Sequence, residues 1–171
     1  MIYILKNRFL KGVVTRHIDA GLSKDMGAAG LELRSLIRKR FGRSLHIRQV
    51  DTGSCGACES EIISACNPIY DLQRFGIQFV ASPRHADALL VTGPISKNML
   101  IALKKTYEAM PQAKFVITCG DCALDGGIFK DSYYVGARVK DVLPVVLHIP
   151  GCPPDPATII KVLLAFLSDL I

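Results

Sequence analysis

Apolar positions along the chain follow two patterns, one typical of helices and one typical of buried strands. Residues 28–41 put apolar side chains on one helical stripe and basic ones away from it. Short runs rich in strand-forming residues, most of them continuously apolar, follow at 46–50, 77–81, 88–92, 115–119 and 145–149. Helical patterns occur at 57–66, 95–109 and 156–170. Because buried strands alternate with helices, the sequence predicts an α/β fold with a doubly wound, mainly parallel sheet.

Positive charge is concentrated at the start of the chain. The formal net charge is +6, and residues 1–50 hold eleven Lys and Arg against three Asp and Glu. We therefore expect a basic N-terminal arm with an amphipathic helix over residues 1–45 and the α/β domain over residues 46–171. A basic segment on a near-neutral body favours docking to anionic lipid or an acidic subunit over binding nucleic acid. A solvated helical face is the simpler alternative.

The sequence predicts no membrane-spanning segment. Lys161 interrupts the apolar run near the C-terminus and Asp169 ends it. At the other end, Lys6, Arg8 and Lys11 are scattered among apolar residues, unlike the uninterrupted core of a secretion signal. We expect a cytoplasmic chain that does not cross a membrane by itself.

Four of the six cysteines follow predicted strands. Cys55 and Cys58 come after the first strand, Cys122 after the fourth and Cys152 after the fifth. Because the carboxyl ends of parallel strands meet at one edge of a sheet, three loops would deliver four thiols to that edge. In a cytoplasmic chain such a group favours metal binding over disulfides. Four thiolates bind either an iron–sulfur cubane or a structural zinc ion.

Cysteine spacing leaves this choice open. The CxxC pairs at 55–58 and 119–122 resemble the two knuckles of a zinc ribbon. The GCPP segment favours a cubane, because a proline also follows a cluster cysteine in bacterial ferredoxins. Cys119, at the end of a buried strand, and Cys66, on an apolar helix face, are expected to pack in the core rather than bind metal.

The resemblance to a known family rests on four segments in this order: DTGSCGACESEI, SPRHADALLVTG, GDCALDGGIF and IPGCPPDP. They resemble the small subunit of membrane-bound energy-converting [NiFe]-hydrogenases, including formate hydrogenlyase. More distantly, they resemble the terminal-cluster subunit of respiratory complex I. The resemblance covers roughly residues 46–160. It implies a flavodoxin-like domain in which Cys55, Cys58, Cys122 and Cys152 bind one proximal [4Fe-4S] cluster beside a large subunit.

The spacing of the first motif favours the hydrogenase branch, because the complex I type has two adjacent cysteines where this chain has Cys55-Gly-Ala-Cys58. The resemblance then implies electron transfer between a ferredoxin-like two-cluster subunit and the [NiFe] site of a hydrogenase-type large subunit. Integral membrane subunits would hold this complex at the cytoplasmic side of the cell membrane, with our chain peripheral. Alternatives are a complex I-like quinone-reducing or ion-pumping complex without [NiFe], and a zinc-stabilised binding module.

The chain is expected to have no turnover alone, although it would be a subunit of an oxidoreductase. Its sequence contains no nucleophile–base arrangement and no complete substrate site.

Further residues are expected around the cluster. Gly53 and Gly56 flank the first cysteine of the site, and Gly126 and Gly127 follow the third. Glycines there would let the backbone approach closely and aim N–H groups at sulfur.

Three charged or titratable residues are assigned by the resemblance. Glu61 matches the family glutamate after the second cysteine and is expected to assist proton movement at the large-subunit interface. The alternative is that acids simply favour the first turn of a helix. Arg84 and His85 are expected near the cluster, where a positive charge would raise its reduction potential. The alternative there is a solvated loop in which Asp87 pairs with Arg84.

Overall fold

The computed structural model describes residues 20–112 and 114–169, and expectations for residues 1–19 lie outside this part. Its strands are β1 (Leu45–Asp51), β2 (Ile77–Phe79), β3 (Ala88–Thr92), β4 (Ile95–Ser96), β5 (Phe115–Cys119), β6 (Val135–Ala137) and β7 (Val145–Ile149). Five of them form a parallel sheet in the order β2-β1-β3-β5-β7. This order is that of a flavodoxin-like fold, so the expected fold class is confirmed.

The helices are α1 (Ala20–Phe41), α2 (Ala57–Ala65), α3 (Met99–Glu108), α4 (Asp121–Asp125), α5 (Val139–Val142) and α6 (Pro156–Asp169). Single 3₁₀ turns occur at Pro83–His85 and Gly127–Phe129. No helix of the described residues is both long enough and apolar enough to span a bilayer.

Each face of the sheet carries its own hydrophobic cluster. Leu90 and Ile117 point to the cluster that contains the buried residues of α1, α2 and α6. Their neighbours Leu89 and Val116 point to the opposite cluster, which contains Leu103 of α3. This alternation follows from the two-residue period of a strand, and it buries both faces of the central strands.

One face of helix α1 packs in the hydrophobic core. Leu33 and Ile37 are fully buried in the same cluster as α6, and the Phe75 ring lies directly on Gly30. The basic side chains Arg34 and Arg38 lie on the exposed side. The helix begins at Ala20, earlier than the apolar stripe predicted. The expected division of the chain at residue 45 stays a prediction.

One expected element differs. Residues 95–109 have a helical pattern, but Ile95 and Ser96 form β4, which pairs antiparallel with β6. The Ser96 N–H donates to the Thr52 carbonyl at 2.8 Å, and Ile95 is fully buried. This pairing with a distant segment competes with helix formation, so α3 starts at Met99.

We predict that Leu33→Ala lowers the free energy of unfolding by about 2–5 kcal/mol, because a cavity would replace a fully buried side chain. Urea denaturation of the full chain measures this loss. Leu31→Ala is the matched control, because Leu31 is 60% exposed on the same helix, and its effect should stay within about 0.5 kcal/mol. Equal losses in the two variants would contradict the packing of α1 described above.

Candidate metal centre

The first two thiols lie in the turn between β1 and α2. Asp51, the last residue of β1, accepts hydrogen bonds from two N–H groups of this turn, both at 2.8 Å. Gly56 precedes the helix with a φ of 86°, and Cys58 lies in the first helical turn. Cys58 is 9% exposed, whereas Cys55 is open to solvent. One thiol therefore points inward and the other outward.

This turn is anchored to the segment that follows β3. The Thr52 N–H donates to the Thr92 carbonyl at 3.0 Å, and the Thr52 hydroxyl lies 2.9 Å from the same oxygen. A Cβ on Gly93 would lie 2.5 Å from the Ser54 nitrogen. Since real side chains do not approach backbone so closely, glycine at position 93 allows the two segments to cross.

The third thiol lies in α4, directly after β5. Gly120 separates strand from helix with a φ of 84°, and a Cβ there would lie 2.5 Å from the Cys58 sulfur. A Cβ on Gly127 would lie 2.8 Å from the Cys122 sulfur, to which the Ile128 N–H donates a hydrogen bond. Bare backbone therefore lies against two sulfurs, and one N–H group is aimed at sulfur.

The fourth thiol lies in the turn between β7 and α6. The Gly120 N–H donates to the Ile149 carbonyl at 2.9 Å. One residue on, the Asp121 N–H donates to the Gly151 carbonyl at 3.0 Å, and the Asp121 carboxylate accepts from the Gly151 N–H at 3.0 Å. These bonds bring exposed Cys152 alongside the loop of Cys122.

The four thiols influence one another electrostatically. Burial raises the pKa of Cys122 above its usual value, and negative charge on Cys152, Cys55 and Cys58 raises this pKa further. The loops themselves meet at one edge of the sheet, because Gly120 and Asp121 are hydrogen-bonded to the turn of Cys152 and Gly120 lies against the Cys58 sulfur. The structure thus brings together the three loops that carry the four cysteines singled out in the sequence.

Cys119 contacts the site without being part of this group. It is fully buried at the end of β5, and its thiol donates a hydrogen bond to Cys58. This bond holds the pKa of Cys58 below its usual value, although burial and the acids Glu59 and Asp121 act in the opposite direction. The bond and burial raise the pKa of Cys119 itself. Cys66 is partly buried against the larger core cluster.

Two features of this edge fit an iron–sulfur cubane. The donor set consists of four thiols, one for each iron. The backbone beside two of them lacks side chains at Gly120 and Gly127, where a Cβ would crowd the sulfur. In residues 20–112 and 114–169, no three His, Cys, Asp or Glu side chains form a group that could hold a single metal ion.

The structure does not bring Arg84 and His85 to the thiols. They precede β3 and line a cavity of about 310 Å³ with His46 and Pro111, at the amino edge of the sheet. The five residues of β3, at about 3.3 Å each, separate this edge from the thiol edge by roughly 16 Å. This placement differs from the expected one, because residues before a parallel strand lie opposite those after it.

Asp87 also has a different partner from the one considered in the sequence. Arg43 holds its carboxylate through two hydrogen bonds, at 2.8 and 2.9 Å. Arg84 is therefore not the residue that pairs with Asp87.

Other predicted residues lie on the thiol side. Glu61 is half-buried on α2, one turn beyond Cys58. A Cβ on Gly53 would lie 3.1 Å from the Tyr134 hydroxyl oxygen, so this glycine permits a close contact. Gly126 donates its N–H to the Cys122 carbonyl at 3.0 Å.

Sequence reasoning missed Gly93, Gly120, Asp121 and Gly151. The signal for Asp121 and Gly151 was their position directly before a cysteine of the site, and Gly120 lies two residues before Cys122.

We predict that Gly120→Ala loses most of any cluster iron incorporated by the full chain, because its Cβ would displace the Cys58 sulfur. Iron content after reconstitution measures this loss. Gly42→Ala is the control and should retain the iron, since Gly42 also has a positive φ, of 67°, but a Cβ there would meet no atom within 4 Å. Retention by both variants would argue against crowding at Cys58.

Comparison with known proteins identifies relatives. The chain is 43% identical over 132 residues to the probable membrane-bound hydrogenase subunit mbhJ of Pyrococcus furiosus, covering 77% of this chain and 79% of that protein. It is 41% identical over 125 residues to formate hydrogenlyase subunit 7 of Escherichia coli, covering 73% of this chain and 49% of the relative.

A solved structure is also similar. It is described as the membrane-bound sulfane sulfur reductase, an archaeal respiratory membrane complex, and one of its chains is 32% identical with a TM-score of 0.66. The match covers 80% of this chain and 74% of that chain. The family described as NADH ubiquinone oxidoreductase, 20 Kd subunit, matches residues 55–166. Because this match spans more than half of the chain and includes all four cysteines of the site, the protein belongs to that family.

Proposed function

We propose that this chain is the electron-transfer subunit of a membrane-associated oxidoreductase complex and binds one [4Fe-4S] cluster through Cys55, Cys58, Cys122 and Cys152. The observation that carries the proposal is the convergence of three loops at the carboxyl edge of the sheet, where the Cys152 turn is hydrogen-bonded to the Cys122 loop and Gly120 lies against the Cys58 sulfur. Membership of a family of oxidoreductase subunits supports it.

The chain's own groups suit a site whose negative charge rises on reduction. A bound cluster would supply single-electron transfer. The Ile128 N–H and the Cys119 thiol donate hydrogen bonds to two of the sulfurs. Such donors stabilise negative charge on sulfur and so favour the reduced form of a cluster. The proposed role is electron transfer and assigns no substrate site to this chain, so we expect no turnover by the chain alone.

Exposed groups around the site suit a covering partner. Cys55 and Cys152 are open to solvent, and in the loop after Cys122 the side chains of Ile128 and Tyr133 are 81% and 89% exposed. Apolar side chains exposed beside a redox site favour burial against another subunit. We assign this surface to a hydrogenase-type large subunit, with electrons supplied by a ferredoxin-like two-cluster subunit.

The complex would lie at the cytoplasmic side of the cell membrane and include integral membrane subunits. The exposed basic side chains Arg34, Arg38, Lys39 and Arg40 of α1 support docking to an anionic membrane surface or an acidic subunit.

A second candidate is the same role in a complex without a [NiFe] site. The likeness to a chain of the sulfane sulfur reductase complex favours it, as does the family itself. The neighbouring large subunit distinguishes the two, because a [NiFe] site requires two CxxC pairs for nickel. Their absence from that subunit would reject the hydrogenase assignment while leaving the electron-transfer role intact.

We predict that Cys152→Ser abolishes the cubane, because oxygen replaces one of four sulfur ligands. Iron and sulfide analysis, with electron paramagnetic resonance of the reduced full chain, measures the cluster. Cys66→Ser is the control and should keep it, since Cys66 packs against the core. A colourless wild-type protein with stoichiometric zinc would support the zinc-stabilised module instead. Loss of the cluster in Cys66→Ser but not in Cys152→Ser would reject the ligand set.

We also predict that Glu61→Gln slows proton-coupled turnover of the assembled complex by about a hundredfold or more, if Glu61 moves protons at the large-subunit interface. The cluster signal should be intact, because Glu61 is not a ligand. Glu108→Gln, at the exposed end of α3, is the matched control. Unchanged turnover in Glu61→Gln would leave Glu61 as an acid that only favours the start of a helix.

A further inference from the structure

One side chain joins the two loops that carry Cys122 and Cys152. The Asp121 carboxylate accepts a hydrogen bond from the Gly151 N–H at 3.0 Å, and the Asp121 N–H returns a bond to the Gly151 carbonyl at 3.0 Å. Each of these residues directly precedes a cysteine of the site. These two reciprocal hydrogen bonds therefore fix the distance between the two backbones directly before Cys122 and Cys152.

Other acids near the site bond within their own loops. Asp51 accepts from the turn that directly follows it, Asp125 accepts from the Gly127 N–H at 2.8 Å, and Asp155 accepts from the Thr158 N–H at 2.6 Å. Among the described residues of the three loops, Asp121 is thus the acid whose carboxylate crosses from one thiol-bearing loop to another.

A partly exposed histidine and a buried threonine, both on strands, support the carboxylate. The Nε2 atom of His148 on β7 lies 3.7 Å from the Asp121 carboxylate, and its Nδ1 atom lies 3.0 Å from the Thr118 hydroxyl on β5. Thr118 is fully buried, so this contact orients the imidazole from the interior of the sheet. Asp121 therefore rests on a side chain that the strands hold in place.

We propose that Asp121 is a positioning residue that latches the Cys152 loop to the Cys122 loop and keeps their thiols in place for metal binding. The inference rests on the proposed cluster. Its physical basis is that a loop ordered in advance loses less conformational entropy when its cysteine becomes a ligand. A carboxylate suits the role because it only accepts hydrogen bonds and forms a stronger bond to an N–H group than a neutral acceptor does.

The test compares Asp121→Ala and Asp121→Asn with the wild-type full chain. In the metal-free protein, amide hydrogen exchange at Gly151, followed by nuclear magnetic resonance, should be about tenfold faster in Asp121→Ala, because a bond to a charged group is lost. In the reconstituted protein, release of iron to a chelator should be about tenfold faster as well. Asp121→Asn keeps an acceptor oxygen and should fall between wild type and Asp121→Ala in both measurements.

Asp125→Ala is the matched control. It removes a carboxylate hydrogen bond that lies within the Cys122 loop, so Gly151 exchange should be unchanged. Wild-type rates of Gly151 exchange in Asp121→Ala, or an equal acceleration of this exchange in Asp125→Ala, would overturn the latch. If Asp121→Ala does not fold, unchanged Gly151 exchange in Asp121→Asn would overturn it. A wild-type chain that takes up no cubane would instead reject the proposed function, and the metal-free exchange rates would still decide whether the latch exists.

Discussion

The thiol site depends on backbone lying against backbone, and against sulfur, at the carboxyl ends of parallel strands. Glycine at position 93 lets two segments cross beside Ser54, and glycine at position 120 lets the end of β5 lie against the Cys58 sulfur. The parallel register of the strands and a hydrophobic cluster on each face hold those ends in place. Short loops can therefore position thiols without an extensive framework of their own.

Much of this architecture was predictable because its causes are local or topological. The runs at 88–92 and 115–119 are apolar at most positions on both sides of the strand, because both sheet faces are covered, and they form β3 and β5 with those bounds. The grouping of the cysteines followed from a rule about parallel sheets rather than from their spacing. Burial of Cys119 followed from its place at a strand end, whereas its hydrogen bond to Cys58 did not.

The parts that sequence reasoning did not predict depend on pairing between distant segments. β4 is a strand because residues 95–96 meet residues 135–137, which a helical period cannot reveal. The role of Asp121 arises only when β5 and β7 are neighbours, since its partner Gly151 is thirty residues away. Arg84 belongs to a segment whose likeness to the family is clear, yet its place before β3 puts it at the far edge of the sheet.

Helix α1 has two opposite surfaces with separate consequences. Its inner surface seals the sheet through Leu33 and Ile37, while Arg34 and Arg38 project from its outer surface. Substitutions that reverse the charge of Arg34 and Arg38 would leave the packing of Leu33 and Ile37 intact. A truncated protein starting at β1 would instead expose apolar surface on this face of the sheet. Its aggregation in solution would then resemble a loss of affinity for a partner.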